Sequence, residues 1–184
     1  VTIAGDIDGG FNLTLDAGAE GNVTINQAVG TTTPLASITV SAKDLELAHN
    51  VAVTGDLAVT GLVTLQGNIT VSASAANLGG GVEGSGKSLV LNVAAATLDS
   101  GTSSYNNIAD LTVTGNVELN GTLTTSGNQS YGGGATLIGD TTLVASGVSV
   151  GDAIDGGGNN LTLTPAGSQI SIVASGASNI AELV

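Results

Sequence analysis

Apolar residues recur six positions apart through the middle of the chain, at Leu45, Val51, Leu57, Val63 and Ile69. Most of them open an apolar–any–apolar triplet, as in Val51-Ala52-Val53 and Leu57-Ala58-Val59. Neighbouring side chains then point to opposite sides of an extended backbone, which is strand periodicity and not helix periodicity. Gly, Asn or Asp follows the triplets, in Thr54-Gly55-Asp56, Thr60-Gly61, Gln66-Gly67-Asn68 and Thr114-Gly115-Asn116. These residues favour turns, so a corner is expected after each short strand. Three faces of about six residues make a coil of about 18, and stacked coils make a parallel β-solenoid.

A longer beat overlies the short one. Ile7-Asp8-Gly9-Gly10 ahead of Leu13-Thr14-Leu15 returns as Val82-Glu83-Gly84-Ser85 ahead of Leu89-Val90-Leu91, and again as Ile154-Asp155-Gly156-Gly157 ahead of Leu161-Thr162-Leu163. The offsets are 75 and 72. A second landmark, Ala36-Ser37-Ile38-Thr39-Val40, returns as Ala109-Asp110-Leu111-Thr112-Val113 and as Ala181-Glu182-Leu183-Val184, at offsets of 73 and 72. Residues 1–184 therefore read as one repetitive domain of about two and a half copies, each of about four coils. About ten coils give a rod on the order of 45–50 Å. Right-handed coiling is the expectation, because parallel crossovers have that bias; a left-handed β-helix, which also has an 18-residue coil, is the alternative. Both ends fall inside a repeat, which suggests a longer parent or an assembly that continues end to end.

Composition agrees with a ladder of small side chains. The chain has 29 Gly, one Phe, two Tyr, and no Trp, Met or Cys, yet 41% of its residues are hydrophobic. Inward ladders of Val, Leu, Ile and Ala suit stacked coils, while Thr, Ser and Asn suit the outward face. Two basic residues against 15 acidic ones leave a net charge of −13. Phosphate backbones and anionic headgroups therefore have little to bind, and nucleic acid is disfavoured as a partner. No apolar run approaches the ~20 residues that span a bilayer, so membrane insertion is not expected.

Candidate chemistry is sparse. Gly81-Val82-Glu83-Gly84-Ser85-Gly86-Lys87-Ser88 matches the phosphate-loop pattern, in which Lys and Ser would meet phosphate and Mg²⁺ at the start of a helix. Here Ser88-Leu89-Val90-Leu91 alternates like a strand, and Lys87 and Ser88 align with Asn159 and Asn160 one repeat on. Gly81, Gly86, Lys87 and Ser88 are accordingly assigned to a solenoid corner, with no nucleotide. His49 is the sole histidine and reads as a surface turn residue. With no Ser–His setting beside it, catalytic residues are not expected and the chain is read as a non-enzyme. Asp6, Asp8, Asp152 and Asp155 lie beside glycines and are candidates for weak Ca²⁺ ligation, the one cofactor the sequence suggests. Phe11, Tyr105 and Tyr131 are the aromatic platforms available to a glycan. Six N-x-[ST] sites, at Asn12, Asn22, Asn68, Asn120, Asn128 and Asn160, follow from Asn at corners and Thr in strands.

The run Ile7-Asp8-Gly9-Gly10-Phe11-Asn12-Leu13-Thr14-Leu15, with Gly21-Asn22-Val23-Thr24-Ile25 and Gly30-Thr31-Thr32-Thr33-Pro34-Leu35 after it, resembles the repeats of giant bacterial surface adhesins of the filamentous-haemagglutinin-like group. Gly127-Asn128-Gln129-Ser130-Tyr131 and Gly139-Asp140-Thr141-Thr142-Leu143 extend the likeness into the second copy. The resemblance implies a secreted or cell-surface solenoid with structural and adhesive duties and no catalytic residues. The expected function is a building block of an extracellular fibre, stalk or matrix that stacks end to end with itself. The alternative is a module that binds host or neighbouring-cell glycans or receptors through its side.

Overall fold

The computed structural model describes residues 1–100, 104–165 and 172–184. Among them there is no helix, and 19 strands form a single sheet in which every pairing is parallel. Apolar residues stack directly on their equivalents one coil away. On the first face the inward column runs Leu13, Ile38, Leu57, Ala76, Ala96, Val117, Ala135, Ile154 and Ala177. The second face stacks Val23, Leu45, Val63, Val82, Tyr105, Leu123, Leu143 and Leu163. The third stacks Ile7, Val29, Val51, Val71, Leu91, Val113, Tyr131 and Val150. These columns make one continuous core that runs the length of the rod.

The architecture is the expected β-solenoid, with about eight turns where a uniform coil predicts ten. The difference lies in coil length. Val113 lies 18 residues from its stacked partner Tyr131, but Leu89 lies 22 from Leu111 and Leu13 lies 25 from Ile38. Extra residues enter as bulges and longer corners, with register breaks between Asp16 and Asn22, between Asn106 and Leu111, and between Leu119 and Gly121. A strand's inward side chains set the register, while a corner can lengthen without disturbing either flanking ladder. Eight turns at the strand spacing give a rod of roughly 40 Å.

The long repeat is out of step with the coil. From Ile7 the third face is followed for three turns through Val29 and Val51 to Val71, and two faces further on stands Val82. From Val82, three turns on the second face lead to Leu143, and two faces further stands Ile154. Each copy thus advances three and two-thirds turns, eleven faces, and not the four turns that a uniform coil implies. The other landmark behaves in the same way: Ile38 lies on the first face, Leu111 on the third and Leu183 on the second. Successive copies present the same residues on successive faces.

Candidate functional site

Several corners are closed by a side chain that reaches to the next coil. The carbonyl oxygens of Asn50, Asn68 and Asn116 accept the N–H groups of Thr70, Ser88 and Gly134 at 2.8, 3.0 and 2.9 Å. Asp110 and Asp140 accept those of Asn128 and Asn160 at 2.8 Å each. Each acceptor stands one residue ahead of an inward ladder position and caps the backbone N–H of its own equivalent one coil on. This is why Gly-Asn and Gly-Asp recur before apolar triplets, and why Asn68, counted among the glycosylation motifs, already has its amide oxygen engaged.

The repeating acidic corner is built alike in the second and third copies. Glu83 accepts the Asn107 amide at 2.9 and 3.1 Å and the Ser85 N–H at 3.1 Å. Asp155 accepts the Asn179 amide at 3.0 Å and the Gly157 N–H at 3.1 Å. Asn107 and Asn179 share a left-handed backbone, with φ of 52° and 51°, a conformation Asn tolerates better than most residues. In the first copy Asp8 accepts backbone N–H groups of Thr32 and Thr33 at 3.0 and 3.2 Å and the Thr31 hydroxyl at 3.4 Å. The Thr32 and Thr33 amides hold the Asp8 carboxyl below its usual value, and the Asn179 amide followed by the Gly157 N–H does the same for Asp155.

Against this frame the predicted residues fall into separate places. Gly81 to Ser88 lies at the start of the strand Val82–Asn92, which turns from the second face to the third at Ser85 and Gly86, with φ of 51° and 76°, and continues extended through Ser88. No helix begins at Lys87, so the backbone amides that would cradle a phosphate are not gathered there. Asp6 and Asp8 belong to the first coil, whereas Asp152 and Asp155 lie near the opposite end. Asp152 accepts the Ser175 hydroxyl at 3.1 Å. Among the described residues no group of three or more His, Cys, Asp or Glu side chains is placed to hold a metal ion. His49 sits exposed on a bend.

The aromatic platforms are a correction. Tyr105 and Tyr131 are 0% and 1% exposed, and Phe11 alone, at 74%, stays on the surface. Both tyrosines take ladder positions, Tyr105 between Val82 and Leu123 and Tyr131 between Val113 and Val150. Their hydroxyls donate to the Leu78 carbonyl and, at 2.9 Å, to Gln129 Oε1. The Gln129 amide donates to the carbonyls of Leu123 and Val144 at 3.0 and 3.2 Å. Among the described residues no buried side-chain nitrogen or oxygen lacks a partner. Sequence reasoning missed this polar inset, for which the only signal was Gln129 standing at an apolar step of the beat.

Thr112-Val113-Thr114 lies on the third face and Thr162-Leu163-Thr164 on the second. No helix among the described residues is long and apolar enough to cross a membrane.

Parallel pairing throughout, stacked apolar columns and a repeating sequence define the class: this is a β-solenoid repeat protein. Comparison with protein-family models, with curated proteins and with solved structures finds no match to the chain.

Proposed function

We propose that the chain is a non-enzymatic structural element of a bacterial cell-surface or secreted fibre, stalk or matrix, of the filamentous-haemagglutinin-like kind. The observation that carries the reading is the eleven-face step. A repeat that turns by one face per copy spreads its corners around the rod and favours a uniform spacer over a single reactive side. The two interior tyrosines and Gln129 are fully engaged within the core, and the sole histidine stands apart at a corner, which supports a mechanical role. Reduction of the exposed aromatics to Phe11 weakens the glycan-binding alternative.

Self-association along the axis extends this reading. The first coil leaves Ile3, Ile7, Leu13 and Leu15 only partly buried. The last coil carries an apolar hollow of about 270 Å³ between Leu161, Leu163, Ile180 and Leu183. Another coil, of the same chain or of a second copy, would bury both rows.

Electron microscopy of the purified protein tests the proposal. Stiff rods of roughly 40 Å, or filaments with a ~4.8 Å axial repeat, are the expected outcome; flexible or globular particles would overturn it. The same grids with millimolar Ca²⁺ read out any role of Asp6, Asp8, Asp152 and Asp155 as lengthened or bundled filaments.

A further inference from the structure

The first face is not flat. A trough of about 520 Å³ passes over Ala95, Gly134 and Ala153, with Glu118 and Asp155 along it. A second, of about 340 Å³, passes from Asp56 over Ala75 to the same Ala95 and Thr97. They meet at these two residues, so the two troughs lie end to end on one face, a channel line parallel to the axis across the coils of Leu57, Ala76, Ala96, Val117, Ala135 and Ile154. Six coils at the strand spacing make it about 24 Å long. The small side chains of Ala75, Ala95, Gly134 and Ala153 are what open it.

The lining chemistry narrows the occupant. Neither lysine of the chain lines the channel, and three carboxylates do: Asp56, Glu118 and Asp155. The Thr97 hydroxyl donates to Glu118 Oε2 at 3.0 Å, fixing that carboxylate on the wall while Glu118 stays exposed. Asp155 is fixed by Asn179 and Gly157, both of which donate to its Oδ1. Backbone donors and acceptors of this face are used in coil-to-coil pairing, so an occupant is held by side chains and not by strand addition. No aromatic ring lines the channel to stack on a sugar. A net charge of −13 repels phosphate and draws in cations.

We propose that this channel binds an extended basic segment of a partner protein, whose Lys or Arg side chains meet Asp56, Glu118 and Asp155. Three coils separate the first two carboxylates and two coils the last two, or about 14 Å and 10 Å. In an extended chain these gaps correspond to basic residues spaced roughly four and three positions apart. The inference stands apart from the stalk reading, since a spacer needs no ligand on its side and a side ligand does not require filaments.

Fluorescence anisotropy with a labelled synthetic peptide, carrying three lysines at that spacing in a Gly/Thr background, tests it on the full chain. Ala95→Phe fills the channel at an exposed position, and Glu118→Gln removes its central charge; Asp44→Asn removes a carboxylate from the second face. Circular dichroism verifies that each variant keeps its strands. The first two variants are expected to weaken binding about tenfold and the third to leave it unchanged. Equal weakening by Asp44→Asn would assign the attraction to the diffuse field of the rod and overturn the proposal. So would undiminished binding to Ala95→Phe, preference for a neutral oligosaccharide, or no peptide binding even at low ionic strength.

Discussion

Gln129 stands in a core column between Leu111 and Val148, and the core accepts it because Tyr131 and two main-chain carbonyls complete its hydrogen bonds. Removing the hydroxyl in Tyr131→Phe leaves the Gln129 Oε1 acceptor buried without its donor. A loss of about 1–3 kcal/mol is expected in urea unfolding. The double variant Gln129→Leu/Tyr131→Phe removes both partners and recovers part of that loss, because apolar replacement spares the desolvation penalty. The same burial makes stability pH-dependent. It pushes both phenols well above their ordinary value of 10.0, with nearby Asp99 adding to the effect at Tyr105. The folded chain keeps both protons where the unfolded chain releases them, so this contribution is fully present below about pH 10 and is lost as pH rises further. The melting temperature should fall in that range alongside the ultraviolet signal of phenolate, and fall less steeply in Tyr131→Phe. Of these residues the sequence showed only that large side chains were scarce. Which side of the ladder each tyrosine takes depends on register, and the corner lengths that set register are not readable from apolar spacing.

At the level of strands and corners, the repeat recurs as geometry. A Cβ added at Gly84 would lie 2.5 Å from the Asn107 carbonyl oxygen and from Ile108 Cα; at Gly156 it would lie 2.5 Å from the Asn179 oxygen and 2.6 Å from Ile180 Cα. Both glycines sit where the coils approach backbone to backbone, on the second and first faces respectively. Gly84→Ala and Gly156→Ala should each destabilise the rod by roughly 1–3 kcal/mol, as overpacking does, with Gly84→Ala the more damaging because the coil it presses on is held by a further coil, whereas Gly156 presses on the last coil of its face. Thermal melts of the two variants check this ordering. Strand identity, turn chemistry and the pairing of Gly with Asn or Asp at corners were all legible in the sequence, since each depends on residues close in the chain. Coil length was not: Leu45 to Ile69 keeps the six-residue beat, while bulges such as that between Asp16 and Asn22 lengthen other coils.

Over the whole molecule, these irregular coils turn a repeat of 72–75 residues into an advance of eleven faces. Three copies would therefore return to the starting face, and the acidic corner would recur on a screw around the rod. The channel on the first face escaped sequence reasoning because it arises between Asp56 and Asp155 from small residues one coil apart, which belong to no common motif. A surface carrying −13 with only two lysines repels itself, and added salt screens that repulsion over a Debye length of ~10 Å at 0.1 M. Raising the salt should raise the melting temperature and permit closer association of rods by light scattering. The eleven-face step depends most directly on the register between neighbouring coils. Thr112 stacks on Val90, 22 residues back, whereas a uniform 18-residue coil would place Ala94 there. Because the chain has no cysteine, disulfide mapping is unambiguous: adjacent rungs lie within the Cα range a disulfide spans. Val90→Cys/Thr112→Cys is expected to oxidise quantitatively and Ala94→Cys/Thr112→Cys to stay reduced; the opposite pattern would contradict the eleven-face step.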